Sequence, residues 1–100
     1  MLFHVTATHT EDNCPAYNMD LMPGVVQALE NSEQVAGELG IKIHSMLSGV
    51  PEHVSFLVLE TDNPGAIARF ANSFPFKQDF KVTPVVPEQS LVELAKQLMG

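Results

Sequence analysis

Leu2-Phe3-His4-Val5-Thr6-Ala7-Thr8 opens the chain and governs how the rest is read. Phe3, Val5 and Ala7 alternate with Leu2, His4, Thr6 and Thr8, the two-residue period of a β-strand whose successive side chains point to opposite faces. The first set suits a core. In the second, His4, Thr6 and Thr8 make a face that is polar without being charged, whereas a face open to bulk water commonly carries Lys or Glu. Histidine and threonine in alternation therefore point to a sheltered, partly wet cavity.

Working outward, Thr10 to Met22 is rich in turn formers (Asp12, Asn13, Pro15, Asn18, Asp20) and longer than ordinary connections, a length that tends to accompany function. From Pro23 to Leu39 the apolar Val25, Ala28, Leu29, Val35, Ala36 and Leu39 recur at helical spacing, interrupted by Ser32, and Gly40 supplies a left-handed stop. Ile41 to Ser48 predicts a second strand, with Ile43, Ser45 and Leu47 on one face and Lys42, His44, Met46 and Ser48 on the other. His53 to Thr61 predicts a third, apolar on both sides and so interior to its sheet. Asn63-Pro64 starts a helix with Ile67, Phe70, Ala71 and Phe74 as its buried stripe, and Pro75 closes it. Arg69, the only arginine, lies close enough in sequence to Glu60 or Asp62 for a surface ion pair. Asp79 to Val86 is a fourth strand, placed at an edge by Pro84, and Pro87 opens a last helix whose Leu91, Leu94, Ala95 and Leu98 stripe requires a partner surface.

This order is the ferredoxin-like βαββαβ arrangement of the α+β class, with a four-stranded antiparallel sheet and an added C-terminal helix. Residues 1–100 form a single domain, with its core in 1–86 and the last helix in 87–99. Right-handed crossovers put both connecting helices on one face of the sheet. The other face is left bare, and a second copy of the chain is the simplest cover, giving a barrel-like homodimer or higher homo-oligomer.

Composition agrees with such an assembly. Hydrophobic residues make up 45% of the chain and charged residues only 17%, a low charge density for a soluble monomer. The net charge is -7 and the five basic residues are scattered, so neither nucleic acid nor an anionic membrane surface is a fitting partner. No apolar run is long enough to span a bilayer, no signal pattern opens the chain, and the single cysteine, Cys14, cannot form an intrachain disulfide. A cytoplasmic setting is expected.

Three stretches carry a family resemblance: Met1-Leu2-Phe3-His4-Val5, the run His53-Val54-Ser55-Phe56-Leu57-Val58, and Phe74-Pro75-Phe76 followed by Asp79-Phe80-Lys81-Val82. They resemble muconolactone isomerase and other members of the dimeric α+β barrel superfamily. Leu59-Glu60-Thr61-Asp62-Asn63-Pro64 and Asp79 to Val86 are similar to a small uncharacterised family of the same superfamily. The resemblance spans most of Met1 to Val86 and implies fold and dimerisation. Its members include lactone isomerases, cofactor-free monooxygenases, haem enzymes and domains without known activity, and the Thr8 to Tyr17 loop departs from the isomerase pattern.

With Phe3, Val5, Ile41 and Ile43 under the helices, His4, Thr6, Thr8, His44 and Met46 fall on the barrel interior as candidate ligand-binding residues. His4 and His44 would start on the order of 10 Å apart across the intervening strand and could share a metal or bracket a polar ligand. A second grouping lies where the first strand ends and the third begins. There His9 and His53 should meet, with the long loop able to bring Cys14, Glu11 or Asp12 over them. Thiolate and imidazole together suit a divalent transition metal, although His4-x4-His9-x4-Cys14 is no established ligand motif. His4, His44, His9, His53 and Cys14 are thus the metal candidates, and Cys14 with His9 as base is a candidate nucleophile lacking an orienting third member. Met19, Met22 and Met46 serve as soft filler as readily as cofactor contacts, and the glycines follow no phosphate-loop spacing. The expected function is small-molecule or metal binding in a histidine-lined pocket, with isomerisation or oxygenation of a small organic substrate as the enzymatic form. A non-catalytic ligand- or metal-binding module and a purely structural dimer are the alternatives.

Overall fold

A computed structural model describes residues 1–100. Strand β1 (Leu2–Thr8) leads through 3-10 turns at Glu11–Asn13 and Pro15–Tyr17 into helices α1 (Met22–Glu30) and α2 (Ser32–Glu38). Strand β2 (Lys42–Gly49), a 3-10 turn (Val50–Glu52), strand β3 (Val54–Glu60), helix α3 (Pro64–Ala71), strand β4 (Asp79–Val85) and helix α4 (Glu88–Met99) follow. The strands make one antiparallel sheet in the order β2-β3-β1-β4, the ferredoxin-like arrangement expected from the sequence.

Phe3, Val5 and Ala7 are buried on the helix-facing side of β1, joined by Leu57 and Leu59 of β3. Ile41, Ala36 of α2, and Ala66, Ile67 and Phe70 of α3 complete the core. Antiparallel pairing places Val58 and Thr83 beside His4, and Phe56 and Lys81 beside Thr6, on the opposite, bare face. That alternation is the one the sequence predicts. Pro84 sits on β4, an edge strand, where its missing N–H does not interrupt an interior ladder.

The expected single helix over Pro23 to Leu39 is two. Asn31 closes α1 with φ −95° and ψ 3°, and the Ser32 hydroxyl donates back to the Leu29 carbonyl at 2.8 Å. Serine and asparagine compete in this way with the helical backbone, so the interruption seen in the apolar period becomes a true break. At the end of α2, Gly40 adopts φ +74°. The Ile41 amide then bonds the Ala36 carbonyl at 2.8 Å and the Gly40 amide the Gly37 carbonyl at 3.1 Å, a Schellman stop that delivers Ile41 to the core. α3 starts as its sequence predicts, with Asn63 Oδ1 accepting from the Gly65 amide at 3.0 Å and Pro64 in the first turn.

Two further expectations are corrected. A β-bulge at His44 shifts the register between Ile43 and Ser45, reversing the face assignment along the rest of β2. Met46 consequently turns toward the core, while Leu47 lies on the bare face opposite Phe56. Arg69 makes no ion pair, because Glu60 pairs with His44 at 2.7 Å and Asp62 takes the amino terminus at 3.7 Å. Every residue of α4 is exposed, so its apolar stripe, for which the sequence requires a partner surface, finds no cover within its own chain.

Candidate functional site

One step beyond the Thr8–Val54 pair, the β1–β3 ladder continues with the His9 amide donating to the His53 carbonyl at 3.2 Å. The two imidazoles therefore stand opposite each other at the end of the sheet. His53 Nδ1 lies 3.2 Å from His9 Nε2 with the rings nearly perpendicular (79°), so one nitrogen donates and the other accepts. His53 is also the only non-glycine residue with positive φ (55°), imposed where the Val50–Glu52 turn feeds into β3. Such a conformation costs on the order of 1 kcal/mol or more.

The long loop supplies the third member. Asn18 Nδ2 donates to the carbonyls of Asp12 at 2.8 Å and Cys14 at 3.0 Å, and Asn13 Nδ2 to Thr10 Oγ1 at 3.0 Å. These bonds hold the two 3-10 turns in one shape, with Cys14 and Pro15 buried beneath them. The Cys14 thiol and one ring nitrogen each of His9 and His53 all lie within 4.8 Å of one another. Phe76 stacks edge-to-face on His9 at 5.3 Å between ring centroids, and Tyr17 lies 6.4 Å from His53. Desolvation, then the neighbouring His53, push the His9 pKa below the ordinary histidine value. A neutral ring at physiological pH keeps a lone pair for a proton or a metal.

His9, Cys14 and His53 border a cavity of about 340 Å³ between the helix-facing side of the sheet and the helices. Its walls are mainly apolar, among them Ala7, Met22, Val25, Leu57, Phe74 and Phe80, with Ser48, Ser55 and Gln78 adding polar points. A predominantly apolar hollow of a few hundred Å³ with a small number of convergent polar groups has the make-up of a small-molecule site.

The remaining sequence candidates lie elsewhere. His4 and Thr6 are half-buried and Thr8 is exposed on the bare face, with His4 tilted against Phe56 at 6.1 Å. His44, carried outward by the bulge, donates its Nε2–H to Glu60 Oε1 at 2.7 Å, an interaction that lowers the Glu60 pKa. His4 and His44 thus each have a different neighbour, and the group of three metal-ligating side chains the structure assembles is His9, Cys14 and His53. Met46 borders the cavity from the helix side, contrary to the expectation that it faces the barrel interior. Glu60, Tyr17 and Phe76 are partners the sequence reading missed. Opposition of Lys42 and Glu60 in a β2–β3 pair would have brought Glu60 near His44, but no residue signals the bulge that points the histidine at it.

Residues 1–99 match the family described as "Domain of unknown function (DUF3303)". The chain belongs to that family. Among curated proteins nothing matches the DUF3303 chain. Among solved structures, the crystal structure of muconolactone isomerase is similar to it with a TM-score of 0.60 and 18% sequence identity, covering 87% of this chain and 90% of that one. At that identity the likeness shows the fold alone, an α+β arrangement of four-stranded antiparallel sheet and helices, and nothing of the chemistry.

Proposed function

We propose that this DUF3303 protein binds a small, largely apolar organic molecule between its sheet and helices, with the polar end of that molecule at His9 and His53. The observation that carries the reading is the cavity of about 340 Å³ whose apolar walls converge on a buried thiol and two facing imidazoles. A neutral His9 beside a bound molecule is equipped to accept a proton, which favours an isomerisation by proton transfer as the enzymatic form over oxygenation. On the bare face, His4, Thr6, Thr8 and His44 are proposed as the polar lining of a second compartment, enclosed when two copies meet.

The working unit proposed is a homodimer, each chain contributing one α+β barrel domain over residues 1–100, in a cytoplasmic setting. Only 15 of 100 residues are buried in the single chain, Leu47 and Phe56 stand exposed on the bare face, and α4 presents its apolar stripe to solvent. A matching copy buries these surfaces at once. No helix is long and apolar enough to cross a membrane.

Binding is tested by thermal melting of the full chain against small phenols, lactones and related compounds. At ten times its Kd a ligand stabilises by about 1.4 kcal/mol, a rise of about 5–10 °C for a domain of this size. Ala16→Phe, on an exposed turn bordering the cavity, should abolish a saturable rise while leaving the unliganded midpoint unchanged. Equal shifts in wild type and Ala16→Phe would place the ligand elsewhere and refute the cavity reading.

A further inference from the structure

We infer that His9, Cys14 and His53 form a three-ligand site for a divalent transition metal of the zinc class, whose fourth position opens to the cavity. The inference deepens the reading above and rests on it, because the metal would be the anchor for the polar group of the molecule held there.

Geometry supports the assignment first. Tetrahedral coordination with Zn–N near 2.0–2.1 Å sets the two nitrogens about 3.3–3.4 Å apart, and the facing nitrogens already stand at 3.2 Å. With Zn–S near 2.3 Å the nitrogen-to-sulfur edges would be about 3.5–3.6 Å. Since the thiol is within 4.8 Å of one ring nitrogen of each histidine, it has to close on those atoms by no more than about 1.3 Å, a movement within reach of rotation about its own Cα–Cβ bond.

The three donors are also held from independent directions. His9 is fixed by the end of the sheet ladder and His53 by the turn into β3. The Cys14 backbone is clamped by its amide to the Glu11 carbonyl at 3.2 Å and by its carbonyl, which accepts from the Tyr17 amide and Asn18 Nδ2, both at 3.0 Å. The strained backbone of His53 keeps its ring against His9 where a glycine would make the turn at less cost.

Donor chemistry then selects the ion. Two imidazoles and a thiolate suit borderline-soft metals, and the absence of a carboxylate from the trio disfavours calcium and magnesium. Three protein ligands with one position left over is the pattern of reactive rather than closed structural zinc sites. On loading, the Cys14 thiol releases its proton to solvent as the S–metal bond forms. The proton shared between the two rings moves, through solvent, to the far nitrogen of its own imidazole, so that both facing lone pairs reach the metal. One M²⁺ enters and one H⁺ leaves, with no change of oxidation state.

The test uses the full chain without an affinity tag, stripped with a chelator and titrated with Co²⁺. The expected result is one equivalent bound, with visible absorption of four-coordinate cobalt and a near-ultraviolet sulfur-to-cobalt charge-transfer band, both abolished by one equivalent of Zn²⁺. Cys14→Ser should lose the charge-transfer band, and His53→Gln should weaken cobalt binding at least about tenfold, equivalent to about 1.4 kcal/mol. Circular dichroism of each metal-free variant checks folding. As a measurement that needs no variant, Zn²⁺ should move the imidazole ¹⁵N resonances of His9 and His53 and leave those of His4 and His44 in place. Absence of saturable cobalt binding, a cobalt spectrum without the thiolate band, or resonance changes confined to His4 and His44 would overturn the assignment. If no cobalt binds saturably while an organic ligand still gives a saturable thermal shift, the cavity reading stands and the metal site falls. An intact cobalt spectrum without any organic ligand binding separates the opposite failure.

Discussion

Replacing Leu94 by serine isolates the role of α4. Leu94 is 50% exposed, on a helix none of whose residues is buried, so the substitution should leave the stability of the individual chain nearly untouched. Fully burying a leucine side chain contributes about 1.5–3 kcal/mol. Covering the remaining half of Leu94 on a partner therefore contributes about 0.7–1.5 kcal/mol, and a two-fold interface uses the residue twice. Leu94→Ser should weaken dimerisation by about 1.5–3 kcal/mol, or between about 10-fold and about 150-fold in Kd. Sedimentation equilibrium across a concentration series reads this directly. The wild type at micromolar concentration should run at about twice the chain mass of 10.9 kDa. A wild type that sediments as the single chain, or a dimer constant unaltered by Leu94→Ser, would refute the role given to this stripe.

Gly40→Ala should destabilise the chain by about 1–2 kcal/mol, because the residue sits at φ +74° with nothing within 4 Å of an added Cβ, so the loss is one of backbone conformation alone; urea unfolding measures it. His53→Gly should raise stability by about 1 kcal/mol by relieving the left-handed backbone while eliminating cobalt binding, and a variant that is both less stable and still binds cobalt would contradict the strain argument. The lowered His9 pKa means that, between its folded value and the ordinary histidine value, the unfolded chain holds more protons than the folded one. The associated stability is present above the ordinary value of about 6.5 and declines as pH falls through that window. Urea midpoints of metal-free protein at pH 7.5 and 5.5 should therefore differ more in wild type than in His9→Gln, and identical differences would count against it.

Much of this protein is set by local chemistry that a sequence displays directly. The alternation in Leu2–Thr8 determined which side of β1 enters the core, because side-chain direction on a strand has a strict period of two. Asn63-Pro64 determined the start of α3, and Gly40 the end of α2, since each satisfies a backbone requirement few other residues meet. Even the meeting of His9 and His53 follows from an antiparallel register that continues one pair past Thr8 and Val54. Tertiary structure alone decided the rest. The bulge at His44 inverts the second half of β2, sending Met46 inward, Leu47 outward and His44 to Glu60, and a one-residue slip of that kind leaves no mark in composition or periodicity. The cavity likewise depends on how the long loop folds over the sheet, where Asn18 caps two carbonyls and draws Cys14 under cover. A strand's two faces are a property of its covalent geometry, whereas a site assembled from a strand end, a loop and a turn exists only once long-range packing has brought their backbones together.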